Sequence, residues 1–479
     1  MTTRMFIDGE WRDATSGATV EATSPATGES LGPVAEGDRV DARFAIAAAN
    51  AAFPAWGART GFERAAFLHR AADAMESRAD ELARTLTLDQ GKPLRAEAEV
   101  EVGELVEFFR MAAEDGKRVE GSIPQSAAPG RRVLLVRRPL GVLGLITPWN
   151  WPYTMPAEVL APALACGNAV VWTPAPSTAV CSGLLAQCIA EADFPPGVFN
   201  FVLGPGPEVG DELAVNPGTH AVAFTGSTET GLIVARQAAG KAQLLEMGGN
   251  GPLVVLDDAD LPAAAEAARV GSFLGAGQSC SAAERILVHD SVREQFVELL
   301  AADVEREVRL GDPFDDATTM GPVNNEPGAA KMDAHVADAV ERGATVVAGG
   351  SRAGGFPTEL YWQPTILTDV PRDSIAVTRE TFGPIAPIVG IGSLDEAIEQ
   401  TNSQTYGLMA AIFTSDLAAG LRYADAVPMG LVNINETTNY WEPHLPWGGR
   451  ARSQSGIGRV GGRYPMDTLT ELQTVLIQT

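Results

Sequence analysis

A chain of 479 residues is longer than a single compact core usually supports, so the sequence predicts two or three domains. Hydrophobic residues make up 45% of it and charged residues 20%, which is typical of a soluble globular protein. The net charge of −26 repels phosphate backbones and anionic lipid, so neither nucleic acid nor a membrane is an expected partner. An acidic surface also serves solubility alone, and by itself it identifies no partner.

The amino-terminal stretch MTTRMFIDGEWRD has no apolar core after its arginine and therefore predicts no secretory signal. No uninterrupted apolar run reaches the roughly 20 residues needed to span a bilayer. The five histidines show no metal-type spacing, and no C-x-x-C pair occurs among Cys166, Cys181, Cys188 and Cys280. A cytoplasmic protein without a metal ion is the expectation.

The chain changes character near residue 140. Residues 41–116 are rich in alanine and charge with helical spacing, and RRVLLVRRPLGVLGLI then indicates strands around Pro139. Strand, glycine turn and helix alternate from there through NAVVWTP, VFNFVLG, AVAFTG and AQLLEMG, which predicts a parallel sheet covered by helices. A second series runs from GPLVVLDDADL to GLVNIN. Two α/β units in series place a ligand cleft between them.

Two glycine turns of the first series follow strands and open helices, where a phosphate-binding turn is expected. GPGPEVG, Gly204 to Gly210, has a glycine spacing one residue longer than the dinucleotide fingerprint, and a plain turn explains it equally well. FTGST repeats the arrangement, with Ser227 and Thr228 as candidate helix caps beside amides that face an anion. Together the two turns favour a nucleotide site on this sheet.

Four further stretches carry polar groups in small or turn-forming surroundings. Cys280 lies in GAGQSCSAAER, among glycines and small polar residues, whereas a packing cysteine usually lies among branched apolar side chains. Glu246 ends an apolar strand in LLEMGG, either as a solvated strand end or as a catalytic base. Asn150 in TPWNWP either closes a turn or donates to developing negative charge. ETFGP, Glu380 to Pro384, is uninformative by itself.

Six motifs occur together in one order: PWNWP, FTGSTETG, LEMGG, GQSC, ETFGP and LPWGGRARSQSGIGR. In this order and spacing they resemble the NAD(P)-dependent aldehyde dehydrogenase superfamily over nearly the whole chain. The resemblance implies an α/β fold with a Rossmann-like cofactor-binding domain from residues 1–118 and 140–248. It further implies an α/β catalytic domain from 249–448 and a small β oligomerisation flap and tail from 119–139 and 449–479. A homodimer or homotetramer is implied as well.

The resemblance assigns catalytic roles to three residues. Cys280 is the nucleophile whose thiolate attacks the aldehyde carbon, which gives a thiohemiacetal and, after hydride transfer to the nicotinamide, a thioester. Asn150 and the backbone amide of Cys280 are the candidate donors to the oxyanion. Glu246, 34 residues before the cysteine (280 − 246), activates the water that cleaves the thioester and helps to take the thiol proton.

The implied cofactor is NAD or NADP, and the aldehyde is a small molecule. Glu380 and Phe382 match the residues that contact the nicotinamide ribose and ring. The full set of expected cofactor contacts is Ile146, Thr147, Pro148, Trp149, Thr173, Ser177, Gly206, Gly210, Phe224, Thr225, Gly226, Ser227, Met247, Gly248, Glu380 and Phe382.

Three positions of the cofactor side depart from the family pattern. Thr173 replaces a lysine that usually holds the adenosine ribose, and Pro176 replaces a frequent acid. Asn250 stands where LELGGK has its lysine. These changes put cofactor affinity and the choice between NAD and NADP in doubt, with NAD the safer choice, while the chemical centre is intact.

The substrate side is less clear from the motifs. NETTNYWEPHLPWGG is expected to line the entrance, with Tyr440, Trp441 and His444 near the aldehyde tail. Relatives acting on succinic semialdehyde tend to carry an arginine six positions before the cysteine, where this chain has Leu274. Arg285 and Arg110 are alternative charges, although ordinary structural roles explain both.

Two other functions remain open on sequence grounds. An acylating branch of the family passes the acyl group to coenzyme A and generally lacks the acid at the position of Glu246, so this sequence disfavours it. A non-catalytic structural or binding relative would tolerate loss of the cysteine, acid or asparagine, and all three are present. The hydrolytic oxidation of an aldehyde to its carboxylic acid is the predicted activity.

Overall fold

The computed structural model describes residues 2–478. Its first half contains β1 (Met5–Ile7), β2 (Glu10–Arg12), β3 (Thr19–Thr23), β4 (Ser30–Ala35), α1 (Arg39–Gly57), α2 (Gly61–Ser77), α3 (Ala79–Gln90), α4 (Glu99–Asp115), β5 (Arg131–Pro139), β6 (Val142–Ile146), α5 (Thr154–Cys166), β7 (Ala169–Thr173), α6 (Ala179–Glu191), β8 (Phe199–Phe201), α7 (Asp211–Val215), β9 (Ala221–Thr225), α8 (Thr228–Gln237) and β10 (Ala242–Glu246).

The second half contains β11 (Pro252–Val255), α9 (Leu261–Phe273), β12 (Arg285–His289), α10 (Arg293–Glu307), α11 (Glu326–Glu341), β13 (Thr345–Ala348), β14 (Thr365–Thr368), α12 (Ile375–Thr378), β15 (Ile385–Ile391), α13 (Leu394–Asn402), β16 (Met409–Phe413), α14 (Leu417–Ala426), β17 (Leu431–Ile434), β18 (Gly456–Ile457), α15 (Pro465–Thr468) and β19 (Thr470–Gln478). The helices predicted for residues 41–116 and the two α/β series are confirmed.

The first sheet has eight strands in the order β18-β10-β9-β6-β7-β8-β1-β2. Its five central strands, β10 to β8 in that order, are mutually parallel. The sequences of these strands are nearly continuous apolar runs because helices cover both faces of such a sheet. Their carboxyl ends therefore form one edge, which is where open α/β sheets bind ligands.

The second sheet has seven strands in the order β13-β14-β15-β12-β11-β16-β17. All neighbouring pairs are parallel except β13 with β14. A separate apolar core surrounds it, including Ile286, Phe296 and Ile412. Two sheets with two cores fit the predicted pair of α/β units.

The flap is a two-stranded antiparallel ribbon of β5 and β19. The pairing runs from Pro139 opposite Thr470 to Arg131 opposite Gln478. The preceding part of the tail lies elsewhere, because β18 pairs with β10 of the first sheet and α15 packs against α5. The expected tail segment 449–479 is therefore divided, and only its last strand joins the ribbon.

Within residues 2–478, no helix combines the length and apolarity needed to cross a bilayer. In the same range, no group of three or more histidine, cysteine, aspartate or glutamate side chains is arranged to hold a metal ion.

Candidate active site

A cavity of about 190 Å³ lies at the carboxyl edge of the first sheet, against the loops of the second. It brings together the three predicted catalytic residues Cys280, Glu246 and Asn150. The remaining lining is Pro148, Trp149, Met155, Thr225, Gly226, Ser227, Met247, Gly248, Lys331, Glu380 and Phe382. Nine of these eleven belong to the predicted cofactor set, and Met155 and Lys331 do not. We call this space the cofactor cavity.

Strand register explains why distant motifs meet there. Ile146 lies opposite Thr173 on one side and Phe224 on the other, and Thr225 lies opposite Glu246. Each of these residues is at or next to the last position of its strand. The side chains and turns that follow therefore converge on the same edge.

The loop that carries Cys280 follows the end of α9 and folds back on itself. Gly275, Ala276 and Gly277 all have left-handed backbone angles, with φ of 61°, 54° and 68°. This conformation is strained for alanine and easy for glycine, so the loop depends on its glycines. A β-carbon added at Gly249 would lie 2.0 Å from the carbonyl oxygen of Cys280, so the second glycine of LEMGG lets the two loops touch.

Cys280 is the one cysteine of the described residues that is not fully buried. Burial, followed by the carboxyls of Glu380, Glu246 and Glu158, raises the pKa of its thiol. The resting cysteine is therefore a neutral thiol, and a nearby base has to take its proton when it attacks.

Glu246 is 3% exposed, and neither of its carboxylate oxygens has a hydrogen-bond partner in the structure. The carboxyl-terminal motif holds its strand, since Glu246 lies opposite Gly456 and Met247 N donates to the Ser455 carbonyl over 3.1 Å. Burial raises the pKa of Glu246 well above its ordinary value, opposed only by Arg459. Such a carboxylate is a stronger base than an exposed one, which suits proton abstraction near neutral pH.

Asn150 is buried in the turn after β6. Its Nδ2 donates a hydrogen bond of 3.0 Å to the carbonyl of Gln278, two residues before the cysteine. One amide proton fixes the side chain against the nucleophile loop, and the other remains for a ligand in the cavity. This is the arrangement required of an oxyanion donor.

The cofactor side offers a helix amino terminus and a fixed carboxylate. Ser227 caps α8 by accepting from Thr230 N, so the first amides of the helix lie beside the cavity. Glu380 accepts from Gly249 N over 2.8 Å, and a β-carbon at Gly248 would lie 2.7 Å from a Glu380 oxygen. Trp149 meets Phe382 edge to face at 5.6 Å. Amides for a pyrophosphate, an acceptor for a ribose and aromatic rings fit a dinucleotide.

The other predicted cofactor residues lie outside the lining of this cavity. Thr147 accepts from the indole of Trp172, and Phe224 packs in a small core with Met247. Gly206 is exposed with open space around its α-carbon, while Gly210 is buried and faces Ile146. Ser177 is exposed and Thr173 is 3% exposed. These positions surround the adjoining strand ends, where their cofactor contacts stay a prediction.

Asn250 faces the protein interior and does not line the cofactor cavity. It is fully buried, and its side-chain Nδ2 donates to the carbonyl of Val377 while its backbone carbonyl accepts from Arg285. The loss of lysine at this position therefore alters packing between loops rather than a cavity charge.

A second cavity of about 90 Å³ lies on the other side of Cys280, which lines both. We call it the tail cavity, because an aldehyde held at Cys280 would extend its chain there. Its lining is Glu104, Trp151, Thr154, Met155, Leu274, Ser279, Cys280, Ser281, Met409, Asn439, Trp441 and Trp447.

Of the predicted substrate residues, Trp441 lines the tail cavity and the other two lie outside its lining. Tyr440 is 48% exposed and donates to Glu442, and His444 is exposed beside the same carboxylate. The two arginines that the sequence offered as alternative charges lie outside the lining of the tail cavity. Arg285 is buried and donates to backbone carbonyls, and Arg110 pairs with Asp73 and Glu76 on the surface.

Glu284 is a residue that the motifs did not single out. It is buried four residues after the cysteine, and it accepts from Thr381 N at 2.6 Å and Phe382 N at 2.7 Å. These bonds hold Phe382 in a left-handed conformation with φ of 56°. In the sequence, the available signal was an acid that follows a run of small residues, CSAAE. Lys331, 5.8 Å from the Phe382 ring centroid, lies in α11 and carried no such signal.

Known proteins share this whole architecture. The Aldehyde dehydrogenase family profile matches residues 11–475. The chain is 40% identical over 477 residues to an NADP(+) succinate-semialdehyde dehydrogenase of Escherichia coli strain K12, covering 98% of this chain and 97% of that one. It is 39% identical over 472 residues to a glutarate-semialdehyde dehydrogenase of Pseudomonas aeruginosa, with coverages of 98% and 96%.

Solved structures of other proteins have the same fold. A betaine aldehyde dehydrogenase from Staphylococcus aureus in complex with NAD+ superposes with a TM-score of 0.96 at 34% identity, covering 100% of this chain and 95% of that one. The chain therefore belongs to the aldehyde dehydrogenase family. The predicted fold class is confirmed, and so is an enzyme that oxidises an aldehyde with NAD or NADP.

Proposed function

We propose that Cys280, Asn150 and Glu246 carry out a hydrolytic oxidation of a small aldehyde to its carboxylic acid. The observation that supports this assignment best is that one cavity is lined by all three, with both Glu246 oxygens free of hydrogen-bond partners. A buried carboxylate without hydrogen-bond partners beside a cysteine can take part in two proton transfers, one during attack on the aldehyde and one during hydrolysis of the thioester.

The first proton transfer accompanies attack. The Cys280 sulfur bonds to the aldehyde carbon while its proton passes to Glu246, directly or through water. The carbonyl oxygen becomes an oxyanion, which the free amide proton of Asn150 stabilises. Removing one such donor typically costs about 2.7–4 kcal/mol of barrier. When NAD or NADP is bound, its nicotinamide supplies the hydride acceptor that leaves a thioester on Cys280.

The second proton transfer releases the acid. After the thiol proton has passed from Glu246 to solvent, Glu246 takes a proton from water as the water oxygen bonds to the thioester carbon, and the carbon–sulfur bond then breaks. Sulfur leaves as the thiolate, which regains its proton before the next turnover. In the same period Glu380 and Phe382 would hold the cofactor's ribose and ring at the cavity wall.

The experiment that tests hydrolysis is product analysis in the presence of coenzyme A. Incubation with an aldehyde and oxidised cofactor is expected to give reduced cofactor and free acid in equal amounts, with no acyl-coenzyme A. The physical reason is that Glu246 keeps an activated water at the thioester. Chromatography of the products measures both outcomes, and accumulation of acyl-coenzyme A would instead favour an acylating enzyme.

We also propose weak discrimination between NAD and NADP. Thr173 is neutral and Pro176 carries no charge, so neither repels nor attracts a 2′-phosphate. The two dissociation constants are expected to lie within about tenfold, or 1.4 kcal/mol, of each other. Pro176→Glu is expected to weaken NADP selectively by repulsion, while Pro176→Gln does not. Fluorescence titration with both cofactors measures this, and a hundredfold preference in the unaltered enzyme would contradict it.

The assembly proposed is a homodimer or homotetramer in the cytoplasm. The exposed flap supports it, since Leu472 and Leu476 are 56% and 65% exposed on β19 and the ribbon has only two strands. An unpaired strand edge with apolar side chains favours pairing with a second chain. Light scattering that finds a monomer would contradict the assembly, and cell fractionation tests the location.

A further inference from the structure

Among the described residues, the lining of the tail cavity contains an acidic side chain and no basic one. Its described lining includes one carboxylate and three tryptophans, and no lysine, arginine or histidine. The two curated relatives named above have semialdehydes of dicarboxylic acids in their names. An anionic tail of that kind would meet a carboxylate here, whereas Leu274 stands where an arginine was sought.

Glu104 supplies that carboxylate from α4. One oxygen accepts from the Thr154 hydroxyl over 3.2 Å, which fixes the side chain at the cavity wall. Burial, followed by the charge of Glu101, raises the pKa of Glu104 to about 7, with a smaller contribution from Glu107. Thr154 and Lys92 oppose this increase without cancelling it. A positive ligand beside Glu104 would therefore favour its ionised form.

Glu158 adds a second carboxyl from α5. It follows the lining residues Thr154 and Met155 by four and three residues, but it is not itself part of the lining. It is 2% exposed, and its Oε1 has no hydrogen-bond partner in the structure. Burial, followed by the carboxyls of Glu246 and Glu104, raises its pKa well above the ordinary value. Its neutral form is therefore favoured, which leaves Glu104 as the carboxylate that faces a ligand.

Lys92 is the cation that acts on Glu104, and it is already paired with another carboxylate. Lys92 is buried and already pairs with Glu101 at 2.5 Å, and its ammonium lies 3.7 Å from the Trp151 ring centroid. Glu97, beside it, accepts from Gly275 N and faces the nucleophile loop. A positive ligand would add a counter-charge that the described lining of the tail cavity does not hold.

The aromatic walls suit a positive ligand. The ring centroids of Trp441 and Trp447 lie 5.7 Å apart, and both residues line the cavity together with Trp151. Indole faces attract cations, and the attraction grows when water is excluded. The buried Trp447 indole N–H has no partner, and it offers one neutral hydrogen bond without charge.

We propose that this enzyme prefers small aldehydes whose tail carries a positively charged ammonium group, held by Glu104 and the three tryptophans. The inference rests on the proposed function, because it requires the aldehyde carbon at Cys280. It makes Glu104 a specificity-determining residue, distinct from the residues that perform the chemistry.

The test compares three aldehydes with the complete enzyme and a saturating cofactor. The cation is 4-(trimethylammonio)butanal, its uncharged isostere is 5,5-dimethylhexanal, and the anion is succinate semialdehyde. We expect kcat/KM at least tenfold higher for the cation than for the isostere, and lowest for the anion. In 4-(trimethylammonio)butanal the charge lies far from the carbonyl, so the intrinsic reactivity of its carbonyl matches that of 5,5-dimethylhexanal.

Variants on one helix separate charge from folding. Glu104→Gln keeps the shape and the Thr154 hydroxyl contact, and it is expected to lower kcat/KM for the cation at least fivefold with the isostere unchanged. Glu107→Gln is the matched control, because Glu107 is exposed three residues further along α4. It should change neither value.

Equal kcat/KM for the cation and its isostere would overturn the inference and leave the proposed function in place, as would a preference for succinate semialdehyde. An unchanged selectivity in Glu104→Gln would overturn the role of that residue. If none of the three aldehydes is oxidised, the inference fails, while the proposed function is tested separately by the coenzyme A experiment with an aldehyde that the enzyme does oxidise.

Discussion

Replacing Cys280 with alanine is expected to lower kcat by more than about 10³-fold, as removal of a covalent nucleophile does in other enzymes. The side chain is small and lies between two cavities, so the fold and the binding of NAD or NADP should be nearly unchanged. Cofactor reduction measured at saturating aldehyde gives kcat, and fluorescence titration gives the cofactor dissociation constant.

The other cysteines provide the matched controls. Cys166, Cys181 and Cys188 are buried, and burial raises the pKa of Cys166 and of Cys188 to about 12. Their alanine variants should keep wild-type kcat wherever they fold. Turnover by Cys280→Ala within tenfold of the wild type would exclude it as the nucleophile.

Glu246→Gln is expected to slow steady-state turnover by about 10²–10⁴-fold, the usual contribution of a general base. Since solvent can still accept the thiol proton during attack, deacylation should slow most, and a burst of one reduced cofactor per active site should precede the slow phase. Stopped-flow absorbance distinguishes the two phases. An unchanged steady-state rate would place water activation at another residue.

The pH dependence of deacylation follows from the same carboxyl. Glu246 has to be ionised to take a proton, and burial raises its pKa, so hydrolysis should accelerate as pH rises through that raised value. The Glu246→Gln variant should lose this pH dependence of hydrolysis.

The sequence predicted most of the lining of the cofactor cavity because those residues lie in short motifs at strand ends. Cys280, Glu246 and Asn150 each stand in a local pattern, and parallel strands bring their carboxyl ends together. The split of residues 449–479 could not be predicted, since the two-residue strand β18 has no periodic pattern of its own. Its position depends on backbone pairing with Glu246.

Residues supplied by helices from other parts of the chain were not predicted. Glu104 looks like one of several acids on an amphipathic helix, and only packing of α4 against α5 brings it to the tail cavity. Lys331 reaches the cofactor cavity from α11 in the same way. Such placements depend on long-range packing, which spacing along one sequence does not encode.

The measurement that tests the central assignment most directly is the intact mass of Glu246→Gln after mixing with aldehyde and oxidised cofactor. We expect a mass increase equal to one acyl group in place of the thiol hydrogen, which digestion locates on the peptide that contains Cys280. No adduct is expected in the Glu246→Gln variant that also carries Cys280→Ala. A reduced cofactor burst without an adduct, or an acyl group on another residue, would contradict it.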